Sequence, residues 1–253
     1  GVGYRALVAN TTGTKNVAVG SSALDECTTG DFNTAVGTSA LTSVTTADNN
    51  TAFGYSAGQE ITTGTQNTAV GALALDANTT ASYNTAFGYN AVGANITGVQ
   101  NVGVGVDALL LTTGSRNTGL GSYTLQANTS ANDNTAVGNQ AMYANTTGAD
   151  NTAVGANALD ANTTGIDNVA VGKSALGVST TGQRNAALGT LSLDACTTGS
   201  NNVGVGYESL SANTTGASNV AVGYLALWKN TTAANNTAVG NSAGQEITTG
   251  ASN

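Results

Sequence analysis

The sequence predicts a mainly β fold, a parallel β-solenoid (β-roll or β-helix) of 17-residue coils. Three features predict it. An asparagine recurs at a fixed interval, as Asn16, Asn33, Asn50, Asn67, Asn84 and Asn101, and then, after one coil of 16 residues, as Asn117, Asn134, Asn151, Asn168, Asn185, Asn202, Asn219, Asn236 and Asn253. A strand-like pentapeptide of the type N-T-A-V-G starts at each asparagine from Asn16 to Asn236. Finally, some repeat positions hardly change while others drift, as a stack with a fixed interior and a tolerant exterior requires. The consensus N-T-A-V-G-x-x-A-L-x-A-N-T-T-G-x-x is numbered here from 1 to 17.

Positions 1 to 5 read as the strand, with β-branched residues, alternation of period two and a closing glycine. That glycine stands in about fifteen coils, from Gly3 through Gly20, Gly37, Gly54, Gly71, Gly88, Gly105, Gly121, Gly138, Gly155, Gly172, Gly189, Gly206 and Gly223 to Gly240. Thr or Val at 2 and Val, Phe or Leu at 4 share one face, and Asn, Ala or Gly at 1, 3 and 5 share the other. The apolar face is the expected core side, so Val19, Val36, Phe53, Val70, Phe87, Val137, Val154, Val171 and Val239 are core candidates. Stacked in register, the strands form a ladder with about 4.8 Å between coils, which puts fifteen coils at roughly 70 Å.

Positions 8 to 12 pair an Ala with a Leu, an adjacency that does not suit an alternating strand. Where the Leu is lost, at Gly58 and Gly244, an aliphatic appears three residues later, at Ile61 and Ile247. Residues three apart share a side on a helical turn. The expectation is a short helical turn, with a second short strand as the alternative. It places Leu24, Leu41, Leu75, Leu159 and Leu176, with Ile61 and Ile247, against the strand. The T-T-G segment closes the coil, and its glycine suits a left-handed turn.

One coil buries two or three aliphatic side chains, at about 1.5–3 kcal/mol each. Ordering the backbone costs about 1–2 kcal/mol per residue, so a lone coil cannot be stable and stacking must be collective. The asparagine at position 1 fits an amide ladder along the stack. It tolerates no substitution, while the neighbouring Thr tolerates Val and Ala. The uniformly small position 3 implies close packing, either against the opposite wall of the same coil or against another chain. A three-fold bundle with this face near its axis satisfies the second possibility.

Composition narrows the function. Charged residues make up 8%, aromatics 5%, and the net charge is −8. No basic patch suggests nucleic-acid binding, and no apolar run approaches the roughly 20 residues of a membrane helix. The chain has no histidine, so the usual proton shuttle and the usual base for a Ser or Cys nucleophile are missing. No catalytic, cofactor or metal residue is assigned, and an enzyme is not expected. Asp133, Asp150 and Asp167 align at position 17 and could offer oxygen ligands to Ca²⁺, but a solvated acidic edge is the favoured reading. Cys27 and Cys196 share position 12, ten coils apart on the ladder, too far for a disulfide within a straight stack. Gly-x-Gly pairs such as Gly103–Gly105 are repeat positions 3 and 5, outside any βαβ context. Tyr4, Tyr55, Tyr89, Tyr207 and Tyr224 at position 6 read as an edge coating. The sequons from Asn10 to Asn230 follow from the repeat itself. An ice-binding threonine plane does not fit, because position 2 is often Val.

The motif N-T-A-V-G-x-x-A-L-x-x-N-T-T-G, seen at Asn151–Gly165 and, with Met142 for the leucine, at Asn134–Gly148, resembles repeats of phage tail fibres and related bacterial surface fibres. Those often end in a chaperone-of-endosialidase domain that is cleaved after trimer assembly. The repeat is similar, more loosely, to the heads of YadA-like trimeric autotransporter adhesins, with N-V-A-V-G at Asn168–Gly172 the nearest segment. The resemblance covers the whole chain and implies a homotrimeric, extracellular fibre on a virion tail or bacterial surface. On this reading residues 1–253 are a single repeat shaft, a section of a longer fibre that spaces a distal tip. A glycan or cell-surface receptor would then bind parts outside this section. The alternative is an adhesin whose rod surface itself binds glycans.

Overall fold

The computed structural model describes the whole chain, residues 1–253, as an all-β molecule without helix. Its fourteen strands are three residues long: β1 (Val17–Val19), β2 (Thr34–Val36), β3 (Thr51–Phe53), β4 (Thr68–Val70), β5 (Thr85–Phe87), β6 (Val102–Val104), β7 (Thr118–Leu120), β8 (Thr135–Val137), β9 (Thr152–Val154), β10 (Val169–Val171), β11 (Ala186–Leu188), β12 (Val203–Val205), β13 (Val220–Val222) and β14 (Thr237–Val239). Contacts group the chain into two units, Gly1–Ser130 and Ala131–Asn253. Within the first, β1 to β7 pair in parallel and in sequence order, with equivalent residues opposite one another, as in Ala18↔Ala35 and Ala35↔Ala52. Within the second, β8 to β14 do the same, as in Ala136↔Ala153. Both units are therefore parallel β-solenoids of the predicted repeat.

The wall opposite the strand is a run of turns. Ala23 N–H donates to Gly20 C=O at 3.4 Å, and Cys27 N–H donates to Leu24 C=O at 3.4 Å, closing two successive i, i+3 turns. The i, i+3 relation inferred for positions 9 and 12 is thus present. A left-handed φ at positions 7 and 9, such as +56° at Ser22 and +50° at Leu24, keeps the segment from winding into a helix. It also turns successive N–H groups toward different neighbours. Ser22 N–H donates back to Tyr4 C=O at 2.8 Å, and Leu24 N–H donates forward to Ala40 C=O at 3.1 Å. The turn wall is thereby hydrogen-bonded from coil to coil, as the strand wall is.

The facing of the strand is the reverse of the expectation. The central Ala or Gly of each strand is buried, and the residues at positions 2 and 4 point outward. Val19, Phe53, Phe87, Val154, Val171 and Val239 are exposed, with Phe53 at 55%, and Val36, Val70 and Val137 are half-buried. None of these is core. Leu24, Leu41, Ile61, Leu75, Leu159 and Leu176, from the turn wall, are fully buried, whereas Ile247 is only half-buried. The physical reason is the width of the coil. Leu at 9 already fills the gap between the walls, leaving space for only a methyl or a hydrogen at position 3. At Gly103 even a β-carbon would lie 2.6 Å from Val92 Cγ2. The opposite wall of the same coil therefore explains the small face.

The two conserved glycine positions have different causes. At position 5, φ lies near +130° to +145°, a region that side chains avoid. A β-carbon on Gly20 would also stand 2.5 Å from the Gly37 carbonyl oxygen. At position 15 no glycine has a positive φ, contrary to the left-handed expectation. Close packing alone selects a small residue there: a β-carbon on Gly13 would meet the Gly30 carbonyl oxygen and, at 3.0 Å, Asn16 Nδ2. Ala47 and Ala81 take the same place and are buried. The short coil omits position 14, since Thr113 and Gly114 both donate to Thr129 C=O at 2.6 and 3.2 Å, as positions 13 and 15 do elsewhere.

Candidate functional site: buried amide columns and a variable surface

The strongest constellation in the molecule is structural. Each position-1 asparagine uses its whole amide. Asn151 Oδ1 accepts the Asn168 backbone N–H at 3.0 Å and Asn168 Nδ2 at 3.1 Å. Asn151 Nδ2 donates to Gly165 C=O at 2.9 Å and Ala149 C=O at 3.0 Å. The pattern repeats in the first unit, where Asn33 N–H donates to Asn16 Oδ1 at 2.8 Å and Asn33 Nδ2 donates to Ala47 C=O at 2.7 Å. It bridges the short coil too, with Asn117 N–H donating to Asn101 Oδ1 at 2.9 Å. One side chain joins two coils and also holds the closing turn. Neither Asp, lacking the donor, nor Gln, one methylene longer, can do both.

A second column stands at position 12, where the consensus also carries asparagine. Asn162 Nδ2 donates to Gly165 C=O at 3.1 Å and its Oδ1 accepts the Gly165 N–H at 3.1 Å, so the side chain clasps the T-T-G turn. Asn162 Nδ2 also donates to Asn145 Oδ1 at 2.8 Å, which makes a local amide ladder. Asn78, Asn128, Asn145, Asn162, Asn213 and Asn230 are fully buried, so these sequon amides are closed to a glycosylating enzyme in the folded chain; Asn10, in the first coil, is exposed. Cys27 and Cys196 occupy the same column as free, buried thiols. Each S–H lies against the carbonyl three residues on, at Gly30 and Gly199. Burial pushes the Cys196 thiol up to about 11 and raises that of Cys27.

Position 16 carries a bonding role that the sequence reading missed. Short acceptors there receive the N–H of the equivalent residue one coil earlier. Asp48 Oδ1 accepts from Asp31 N–H at 2.7 Å, and Ser200 Oγ accepts from Gln183 N–H at 3.1 Å. Asp31 in turn accepts from the N–H and hydroxyl of Thr14, which hold its carboxyl below the usual carboxylate range. The recurrence of Asp, Ser and Thr at this position was the available signal.

On the outside, Asp133, Asp150 and Asp167 are exposed residues of left-handed φ at the coil edge. No group of three or more His, Cys, Asp or Glu side chains converges in a way that could hold a metal ion. The position-6 tyrosines are exposed, and Tyr207 and Tyr224 stack with ring centroids 5.7 Å apart. No helix is long and apolar enough to cross a membrane. Searches of protein families, curated proteins and solved structures found nothing that matches the chain.

Proposed function

We propose that the chain is the shaft of an extracellular homotrimeric fibre, on a phage tail or a bacterial surface, which spaces a distal binding tip from its anchor. The supporting observation is the division of labour within each coil. Every inward side chain serves coil-to-coil stacking, as the asparagine columns and Leu24, Leu75 and Leu159 do. The outward positions drift without a localised cluster, as a spacer allows. The small face is consumed inside the coil, so the interchain contact falls to the outward strand face. There Val17 and Val19 of β1, Phe53 of β3, Phe87 of β5, and Val169 and Val171 of β10 expose apolar surface. Burying such a face against further copies is favourable at about 25 cal/mol per Å². A structural rather than enzymatic role belongs to the same proposal.

Light scattering tests it: the expected mass is three times the 24.7 kDa of one chain, and a monomer at micromolar concentration rejects the trimer. The second reading, an adhesin that binds glycans along the rod, draws on the exposed position-6 tyrosines, including the Tyr207–Tyr224 stack. Specific, saturable binding on a glycan array that is lost in a Tyr207→Ala/Tyr224→Ala variant would favour it over the spacer.

A further inference from the structure

Two columns beside the T-T-G turn are both exposed and behave in opposite ways. Position 17 is exposed in every coil and drifts freely, through Lys15, Phe32, Tyr83, Asp150 and Ser218 among others. Position 14 is exposed in all fourteen coils that contain it, from Thr12 to Thr249. It holds threonine in each of them except one, where Ser130 stands. The outside of a repeat stack is normally free to vary, yet a hydroxyl is kept here in coil after coil.

Nothing inside the chain accounts for that hydroxyl. No residue at position 14 has a positive φ, and no side-chain oxygen there bonds within the chain. One position earlier the hydroxyl has a structural task. Thr28 Oγ1 donates to Thr45 C=O at 3.1 Å, and Thr163 Oγ1 donates to Thr180 C=O at 3.0 Å. Position 13 nevertheless gives up its hydroxyl at Ile96. The group is thus dispensable where it bonds and retained where it does not. Valine shares the branched shape of threonine and never stands at position 14, whereas Ser130 keeps the oxygen and loses the methyl. The oxygen is the retained feature, and its partner lies outside the chain.

We propose that the position-14 hydroxyls are acceptors for O-linked glycosylation, modified by a glycosyltransferase of the producing cell that reads the recurring T-T-G turn. In each transfer the hydroxyl oxygen attacks the anomeric carbon of a nucleotide-activated sugar. A new C–O bond forms, and the bond from that carbon to the diphosphate oxygen breaks. The electron pair leaves with the nucleoside diphosphate, and the hydroxyl proton passes to a base of the transferase. The sequons show why the oxygen rather than the amide is the acceptor. In Asn162-Thr163-Thr164 the asparagine is fully buried and Thr164 is exposed, so the folded coil offers O-linked attachment and closes off N-linked attachment. Charge selects a sugar over a phosphate. Each phosphate carries about −1.5 to −2, and neighbours about 4.8 Å apart lie within a Debye length of about 8 Å, on a chain whose net charge is already −8. Covalent modification also fits better than docking on an ordered lattice. A lattice needs a second regular row beside the first, and the neighbouring exposed column at position 17 mixes lysine, aromatic and aspartate side chains. The short coil, which omits position 14, interrupts the row, an interruption that independent sites tolerate.

Peptide mass mapping over residues 1–253 of the natively produced protein tests the proposal, with the same chain from a cell-free system lacking glycosyltransferases as the reference. Whole monosaccharide increments are expected at position 14, for example at Thr29, Thr147 and Thr164, and none at position 13. Thr147→Val/Thr164→Val, expressed in the native source, should lose the increments at those two sites alone. In the cell-free chain Thr164→Val should leave the melting temperature unchanged, whereas Thr163→Val, which loses the bond to Thr180 C=O, should lower it. Unmodified native peptides, sugars confined to other residues, or phosphate increments at position 14 would each overturn the proposal. An equal fall in melting temperature for Thr164→Val and Thr163→Val would overturn it too, because the retained hydroxyl would then serve the fold.

Discussion

The δ-methyl of Ile61 fills the space that a side chain on Gly58 would occupy: a β-carbon on Gly58 would lie 3.0 Å from Ile61 Cδ1 and 2.9 Å from Leu41 Cδ2. Gly58 keeps the left-handed φ, +59°, that leucine adopts at this position in other coils. The backbone is therefore unchanged, and one aliphatic group reaches the same pocket from three residues further on. Gly244 and Ile247 repeat the arrangement, with the β-carbon 3.2 Å from Ile247 Cδ1.

This exchange predicts strong coupling. Ile61→Ala should lose about 2–5 kcal/mol, as a buried truncation does. Gly58→Leu alone should lose about 1–3 kcal/mol through overpacking. The double variant Gly58→Leu/Ile61→Asn, which restores the commoner pair, should be far less destabilised than the two single changes added together. Urea denaturation of the four proteins measures the coupling, and additive losses would contradict the shared pocket.

The position-1 ladder predicts that chemistry matters more than shape. Asn151→Asp preserves volume but removes the donors to Gly165 and Ala149, and it places a carboxylate in a buried column. A loss of several kcal/mol is expected, at about 1–3 kcal/mol for each buried group left unpaired. The Asn168 amide keeps its acceptor, because Asp retains the oxygen that receives this N–H, so its protection in hydrogen exchange should fall only as far as global stability does.

The reversed strand facing predicts different outcomes for substitutions in the two walls. Leu159→Ala, in the turn wall, should cost about 2–5 kcal/mol. Val154→Thr, on the exposed face of β9, should change single-chain stability by no more than about 0.5 kcal/mol. If copies associate through that face, Phe53→Ser combined with Val154→Thr should lower the mass seen by light scattering while leaving the circular dichroism spectrum intact.

Stability should also respond to pH through two opposing groups of acids. Asp76, Asp160 and Asp194 sit above the usual carboxylate range, chiefly through burial. Their unfolded forms release protons first, so their contribution is full below the unfolded pKa of about 3.9. It is lost as pH rises through the folded values. Replacing all three with Asn should raise the melting temperature at pH 7 and leave it unchanged near pH 3. Asp31 has the opposite sign: Thr14 holds its pKa down, so its contribution is present above the unfolded value and lost as pH falls through the folded one. Asp31→Ala should lower the melting temperature at pH 7 and not at the acid end.

The repeat length, the parallel register, the strand at N-T-A-V-G and the asparagine column at position 1 were all legible in the residues alone. Each follows from periodicity, because a side chain that must meet its own counterpart one coil away has to recur at the coil length. The Gly58–Ile61 exchange was legible for a similar reason, since a compensating pair leaves a visible trace. The orientation of the strand was not. Alternation shows that two faces differ but does not say which one turns inward. That depends on the distance between the walls, set by Leu at position 9 and by the left-handed turns at residues such as Ser22 and Leu24. Only the closed coil reveals that the gap takes one leucine and one alanine, which sends Val154 and Phe53 outward.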